Sequence, residues 1–276
     1  MLVITGIITD RVSDNLFSAD ENEIIVQKTI SFFDSGMLSY IPAPVIGAKV
    51  WLDDVLLSDM NNGRYKIPDE DFCGVPGQTY TLEVHYDMDE DGIEEVYTSS
   101  TTMPKACQLD SIRLMPLPVI RREYMAMLML HYQDDGAEQR YYCAKLRDDD
   151  NGFYYSGRIL RYSLFRSSAT PSDNASRQTP SGWSIRHEMQ FDNERIYNIF
   201  AGDLLMVELE SLSLELYEYL SAASTELRQN NPLFSGPRTD LPTNIRGGAI
   251  GVFGSYTTNR VSLQIPLDTP GLPIRP

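Results

Sequence analysis

The chain has 276 residues, and 23 Lys and Arg stand against 39 Asp and Glu, which gives a formal net charge of −16. Nucleic acids and anionic membrane surfaces are bound by clustered Lys and Arg, so this charge argues against both as the main partner. Hydrophobic residues make up 42% of the chain, which excludes wholesale disorder. No apolar run approaches the ~18 residues of a membrane-spanning helix. The length allows two domains or one large all-β domain.

Strand patterns dominate the first part of the chain. Short segments rich in alternating or β-branched residues are separated by turn signals, and no helical pattern interrupts them. These segments are residues 3–9, 23–33, 48–52, 64–67, 79–86, 95–99 and 107–114. They predict an immunoglobulin-like β-sandwich over residues 1–118, which ends at the stiff Pro116-Leu117-Pro118 segment.

The remaining residues, 119–276, predict a second β-rich domain that carries one α-helix near residues 214–229. Apolar side chains of this segment recur at helical spacing on one face, and they are Leu216, Tyr219, Leu220, Ala223 and Leu227. Ser211 or Ser213 can cap the start of the helix, and Asn231-Pro232 would end it. The predicted fold class is therefore mainly β, in two domains.

An acidic segment between two predicted strands is the sharpest local motif. Asp87, Asp89 and Asp91 occupy its first, third and fifth positions, Gly92 the sixth and Glu95 the ninth. Ca²⁺ prefers six to eight oxygen ligands, and alternating carboxylates on a tight turn can supply them. We therefore predict a calcium site with Asp87, Asp89, Asp91 and Glu95 as ligands. The alternative is a solvated acidic turn that binds no metal.

The sequence offers little for catalysis. Its three histidines, His85, His131 and His187, lie in strand-like segments, and no nucleophile elbow, zinc-protease motif or phosphate-binding loop is present. We therefore predict that the chain is not an enzyme.

The three cysteines have no zinc-binding spacing, and their odd number prevents complete pairing. Two interpretations stay open. Cys73, Cys107 and Cys143 are three buried free thiols, or Cys73 and Cys107 form a disulfide in an exported protein.

An ordered set of short segments resembles a known family. The segments are Leu2–Asp10, Ile46–Val50, Gly63–Tyr65, Gly77–Leu82, Met103-Pro104, Leu109–Ile112, Asn231–Phe234 and Asn244–Gly254. Together they resemble the Bacteroidetes lipoprotein family catalogued as domain of unknown function 4249, over nearly the whole chain. Each segment is short, and their order and spacing carry the resemblance.

The resemblance implies an exported lipoprotein of the cell envelope, anchored in the outer membrane through a lipidated N-terminal cysteine. That cysteine is absent from this sequence, so we expect Met1 to stand where the export signal was removed. The resemblance also implies a neighbouring TonB-dependent outer-membrane receptor and an N-terminal sandwich of immunoglobulin or transthyretin type. It supplies no catalytic residues.

These observations predict a non-enzymatic binding or accessory subunit of a TonB-dependent nutrient uptake system. The alternative is a structural or adhesive surface protein of the envelope. An envelope hydrolase would need a polar triad that the sequence does not show.

Overall fold

The computed structural model describes residues 1–12, 21–29, 42–120, 123–134, 138–148, 159–167, 177–178, 183–188, 200–228, 241–269 and 274. The strands before residue 105 are β1 (Leu2–Thr9), β2 (Glu23–Lys28), β3 (Ala43–Pro44), β4 (Lys49–Leu52), β5 (Val55–Leu56), β6 (Ser58–Asp59), β7 (Arg64–Lys66), β8 (Thr79–Tyr86) and β9 (Glu95–Thr102). The later elements are β10 (Leu109–Ile120), β11 (Glu123–Tyr132), β12 (Tyr141–Asp148), β13 (Ile159–Arg166), β14 (Arg177–Gln178), β15 (Trp183–Glu188), β16 (Leu204–Leu212), α1 (Leu214–Arg228) and β17 (Ile250–Gln264). The predicted mainly β fold is confirmed.

The chain divides into two compact units that are not contiguous in sequence. The first unit comprises Met1–Lys105 and Leu212–Thr257, and the second comprises Ala106–Ser211 and Thr258–Pro276. This division differs from the predicted domains 1–118 and 119–276. The reason is strand pairing: β17 pairs in parallel with β1, from Val3 opposite Ile250 to Thr9 opposite Tyr256. A strand from the end of the chain and the helix α1 therefore belong with the N-terminal strands.

The first unit contains two sheets around one apolar core. One sheet has the order β17-β1-β2-β7-β6, with β3 paired to β2, and the other has the order β5-β4-β8-β9. Buried and partly buried residues alternate along β1 and β8, as expected for strands with one face on a core. Both sheets contribute to the same buried cluster, which includes Ile4, Ile8, Val26, Val50, Leu82, Val84, Tyr97 and Phe253. This arrangement agrees with the predicted N-terminal β-sandwich.

The helix α1 lies where the sequence predicted it, within one residue at its end. Leu216 is buried, and the backbone N–H of Tyr217 donates to the carbonyl of Ser213 at 3.0 Å. Ser213 occupies the capping position, but its Oγ accepts from the backbone N–H of Ser255 in β17 at 3.2 Å. This residue therefore ties the start of the helix to a strand of the same unit. The predicted stop at Asn231-Pro232 lies outside the described residues.

The second unit is also built from two sheets. One contains β13, β12, β16 and the end of β17, and the other contains β10, β11, β14 and β15. Its apolar core includes Leu109, Leu130, Tyr132, Tyr142, Leu146, Leu205, Val207, Leu209 and Ile265. Strand β16 is buried along nearly its whole length, so its polar side chains are buried too. Glu208 pairs with Arg260, and Glu210 pairs with Lys145.

Candidate functional site

The predicted acidic loop joins β8 to β9 in the first unit. Tyr86 lies opposite Glu95 at the end of the ladder, so residues 87–94 form the hairpin connection. Glu90 and Gly92 both adopt left-handed backbone conformations, with φ of 63° and 88°. Gly92 adopts this conformation without steric cost, which is the reason for glycine at the sixth position of the motif.

The backbone turns three aspartates of this loop toward one point. Ligand oxygens of Asp87, Asp89 and Asp91 all lie within 4.8 Å of one another. Asp87 accepts hydrogen bonds from the backbone N–H groups of Asp91 at 3.1 Å and Gly92 at 2.8 Å. Asp91 accepts from the N–H of Ile93 at 2.8 Å. Three negative groups held this close repel one another by roughly 1–3 kcal/mol per pair at surface-like dielectric, and a cation would relieve that repulsion.

The structure does not bring the fourth predicted ligand, Glu95, into this cluster. Its Oε2 accepts a hydrogen bond from the backbone N–H of Met88 at 2.8 Å. Glu95 is the first residue of β9, so its carboxylate is held at the base of the loop rather than at its tip. The cluster that the structure presents is therefore Asp87, Asp89 and Asp91.

The histidine of the first unit is held between carboxylates. Nε2 of His85 lies 2.5 Å from Oε1 of Glu83, and Nδ1 lies 3.7 Å from Oε2 of Glu94. The imidazole also meets the indole of Trp51 edge to face, with ring centroids 4.8 Å apart. Both ring nitrogens thus face carboxylates, whereas a general base that activates a nucleophile needs one of them toward a hydroxyl or thiol.

The cysteines are free thiols. Cys107 is buried, and its Sγ donates to the carbonyl of Gln133 at 2.9 Å. Burial raises the pKa of the Cys107 thiol to about 11 and raises the pKa of Cys143 as well, so both stay protonated near neutral pH. Because the thiolate is the nucleophile, neither is poised for catalysis. Cys73 is exposed, so the interpretation of three buried thiols is right for two of them and wrong for Cys73.

A polar cavity that sequence analysis did not identify lies in the first unit. It has a volume of about 350 Å³ and is lined by Glu21, Asn22, Glu23, Lys66, Ile67, Asp69, Glu70 and Phe72. The buried carboxylate of Glu23 at this cavity pairs with Lys66 at 3.1 Å and with Arg64 at 3.0 Å. No local motif marks these residues, because strand pairing brings them together from two separate segments, residues 21–23 and 64–72.

No helix among the described residues combines the length and apolar character needed to cross a membrane. A family model described as "Domain of unknown function (DUF4249)" matches residues 2–262. No curated protein matches the chain, and no solved structure matches it. The family match confirms the resemblance seen in the ordered segments of the sequence. Because it covers nearly the whole chain, the protein belongs to the DUF4249 family.

Proposed function

We propose that the chain is a non-enzymatic binding or accessory lipoprotein of the cell envelope that acts with a TonB-dependent outer-membrane receptor. The observation that carries this proposal is the family match over residues 2–262, because the partner and the envelope location follow from the resemblance to that lipoprotein family. One feature of the structure supports a binding role. The first unit is a β-sandwich whose loops are displayed on a packed scaffold, and such loops commonly carry binding residues.

The described side chains also support the absence of catalysis. The thiols of Cys107 and Cys143 are buried and protonated, and the imidazole of His85 is held by two carboxylates. A broad profile of hydrolase substrates with the purified chain should therefore show no turnover above background. Turnover that depends on His85 or on a serine or cysteine of this chain would overturn this part of the proposal.

Purification of the tagged protein from its own membranes in mild detergent tests the partner. We expect a TonB-dependent receptor to co-purify with it. Self-association or fibre formation without a receptor would instead support the structural or adhesive alternative and overturn the accessory role.

We further propose that Asp87, Asp89 and Asp91 bind Ca²⁺, with their carboxylate oxygens as ligands. Glu95 would join them only if its carboxylate left the N–H of Met88. Extracellular calcium modules bind at about 10⁻⁴–10⁻³ M, so 1 mM calcium would stabilise the fold by about 0.4–1.4 kcal/mol. The bound ion would stiffen this loop rather than determine the fold.

Thermal melting in EDTA and in millimolar calcium tests this site. We expect calcium to raise the melting temperature by about 1–5 °C. Asp89→Asn with Asp91→Asn should abolish the shift, whereas Asp54→Asn, at an exposed turn outside the cluster, should keep it. Identical curves in EDTA and calcium would show that the loop is a solvated acidic turn.

A further inference from the structure

The outward face of the β5-β4-β8-β9 sheet carries five side chains in one row. Leu56 lies opposite Trp51, Trp51 opposite Glu83, and Glu83 opposite Thr98. Thr98 is bridged in turn to Arg246, through backbone hydrogen bonds of 2.8 and 3.2 Å. Residues directly opposite each other in antiparallel pairs project from the same face, so these five share it. We call them the Trp51 row.

The Trp51 row faces away from the core. Its neighbours along the strands, Leu52, Leu82 and Tyr97, are buried in the core of the first unit. Trp51, Glu83 and Thr98 are partly exposed, and Leu56 and Arg246 are exposed. With neighbouring strands ~4.8 Å apart, the row spans roughly 19 Å, which suits an extended ligand better than a single small molecule.

The groups of this face are fixed before any ligand arrives. The indole of Trp51 packs against His85, and His85 is held by Glu83. At the far end, Oδ1 of Asn244 accepts from the N–H of Phe253 at 2.9 Å and Nδ2 donates to its carbonyl at 2.7 Å. These bonds anchor the segment that presents Arg246. Preorganised groups lose less entropy on binding and so favour affinity.

This face carries charges of both signs, and the whole chain carries −16. Lys49 pairs with Glu94 at 2.8 Å, with side chains 55% and 39% exposed. Arg246 lies in the same row as Glu83. Asp53 adds a third carboxylate beside the row, where its Oδ1 accepts from the N–H of Thr81 at 2.8 Å, so two cations face three carboxylates. Interspersed charges of both signs attract a strongly anionic or strongly cationic partner less than a surface of one sign does. The ligand that complements it is uncharged and polar.

We propose that the Trp51 row binds a neutral oligosaccharide, and this inference names a ligand class for the binding role proposed above. A sugar ring has an apolar C–H face that can stack on the indole of Trp51. Its hydroxyls donate to Glu83 and accept from Arg246, and they do both with Thr98. Oligosaccharides bind along the strand face of other small β folds in the same way. A protein partner fits less well, because interface cores are depleted of charged residues and the apolar Leu56 and Val96 of this face are separated by them.

Isothermal titration of the purified chain with maltohexaose, cellohexaose, xylohexaose and mannohexaose tests the proposal. We expect at least one hexasaccharide to bind and Trp51→Ala to weaken it at least about tenfold. Arg246→Ala, a change at an exposed side chain, should weaken binding of the same ligand by a smaller factor. The matched control is Tyr219→Ala, which removes a partly exposed aromatic ring on α1 and should leave the affinity unchanged.

The proposal would be overturned if no hexasaccharide bound at millimolar concentration, or if Trp51→Ala and Arg246→Ala both left the saccharide affinity unchanged. It would also be overturned if Trp51→Ala abolished co-purification of the receptor, because this face would then be a protein interface. Circular dichroism confirms that each variant is folded. Receptor co-purification separates the saccharide proposal from the proposed accessory role. If the receptor co-purifies but no saccharide binds, the saccharide proposal is wrong and the accessory role is unaffected.

Discussion

The ion pairs of β16 in the second unit and the Lys49–Glu94 pair of the first unit lie in opposite environments. In the second unit, Glu208 and Glu210 of β16 are only 1% and 3% exposed, and each is paired with a basic side chain of a neighbouring strand. In the first unit, Lys49 and Glu94 form their pair on the open face of a sheet. The same chemistry is therefore buried along β16 and solvated on this face of the first unit, although Glu23 elsewhere in the first unit is buried in its pairs with Arg64 and Lys66.

This difference separates a structural role from a binding role. A buried carboxylate has lost its hydration, so removal of its partner leaves a costly unpaired charge. An exposed pair is screened by water and contributes little to stability. Charged side chains that contribute little to the stability of the fold can interact with a ligand without destabilising the protein. We therefore expect substitutions in the second unit to affect stability and those on the Trp51 row to affect binding.

The largest expected effect is that of Lys145→Met. This change keeps much of the side-chain volume but leaves the carboxylate of Glu210 buried without its cation. We expect a loss of about 3–5 kcal/mol in the free energy of unfolding. Urea unfolding followed by circular dichroism measures it.

The control for this prediction is the double variant Lys145→Met with Glu210→Leu, which removes both charges. Replacement of a whole buried pair by apolar side chains is often neutral, so the double variant should recover much of the lost stability. A single variant as stable as the parent would show that the Glu210 carboxylate is hydrated and that the contrast between the units is wrong.

Gly251→Ala tests how the first unit is completed by the end of the chain. Gly251 has φ of +122°, and a Cβ there would lie 2.0 Å from the carbonyl oxygen of Ile4 in β1. We expect a loss of roughly 2–4 kcal/mol, because both the backbone conformation and the parallel pairing oppose the new methyl group. Gly248→Ala is the control. Gly248 also has a positive φ, +91°, but a Cβ there would contact no neighbouring atom. The free energy of unfolding should therefore fall by less, about 1–2 kcal/mol.

Alkaline pH should weaken the second unit before the first. Burial raises the pKa of Cys107 from its usual 9.0 to about 11, and that of Tyr65 in the first unit from 10.0 to about 12. A raised pKa gives stability that is complete below the unfolded value and declines as pH rises toward the folded one. The thiol contribution is therefore lost from pH 9 upward, and the tyrosine contribution only from pH 10.

Urea unfolding at pH 8, 9 and 10 measures the thiol contribution, because the loss from Tyr65 begins only at the upper end of this range. Between pH 9 and pH 10 we expect a loss of about 1 kcal/mol for each buried thiol. Cys107→Ala with Cys143→Ala should flatten that decline, whereas Cys73→Ala, at the exposed thiol, should not change it. If the free energy of unfolding declined equally with pH in the parent and in both variants, the decline would not come from the buried thiols.

Local patterns predicted most of the elements but not their grouping. Alternation marked strands such as β4 and β8, and helical spacing marked α1 to within a residue. The pairing of β1 with β17 joins residues about 250 positions apart. Periodicity within a segment carries no information about such a partner. For this reason the predicted boundary at residue 118 does not follow the compact units.

The acidic loop was predictable because all of its groups lie within nine residues, and the hairpin that holds them is itself a local structure. Glu95 shows the limit of that argument, since its spacing fits a ligand while its carboxylate is engaged by the N–H of Met88. The Trp51 row was not predictable in this way. Its members come from four strands and a distant loop, and only strand register aligns them.

The smallest expected effect on stability is that of Lys49→Met, the surface counterpart of Lys145→Met. Its pair with Glu94 is solvated on both sides, so we expect the free energy of unfolding to change by about 0–1 kcal/mol. The same urea titration measures it beside the buried variant. A loss as large as that of Lys145→Met would mean that this face is closed to water, and a closed face could not receive an oligosaccharide. If Lys49→Met instead left the free energy of unfolding nearly unchanged and altered the saccharide affinity, the pair would act in binding. This is the result that the contrast with the buried Lys145–Glu210 pair predicts.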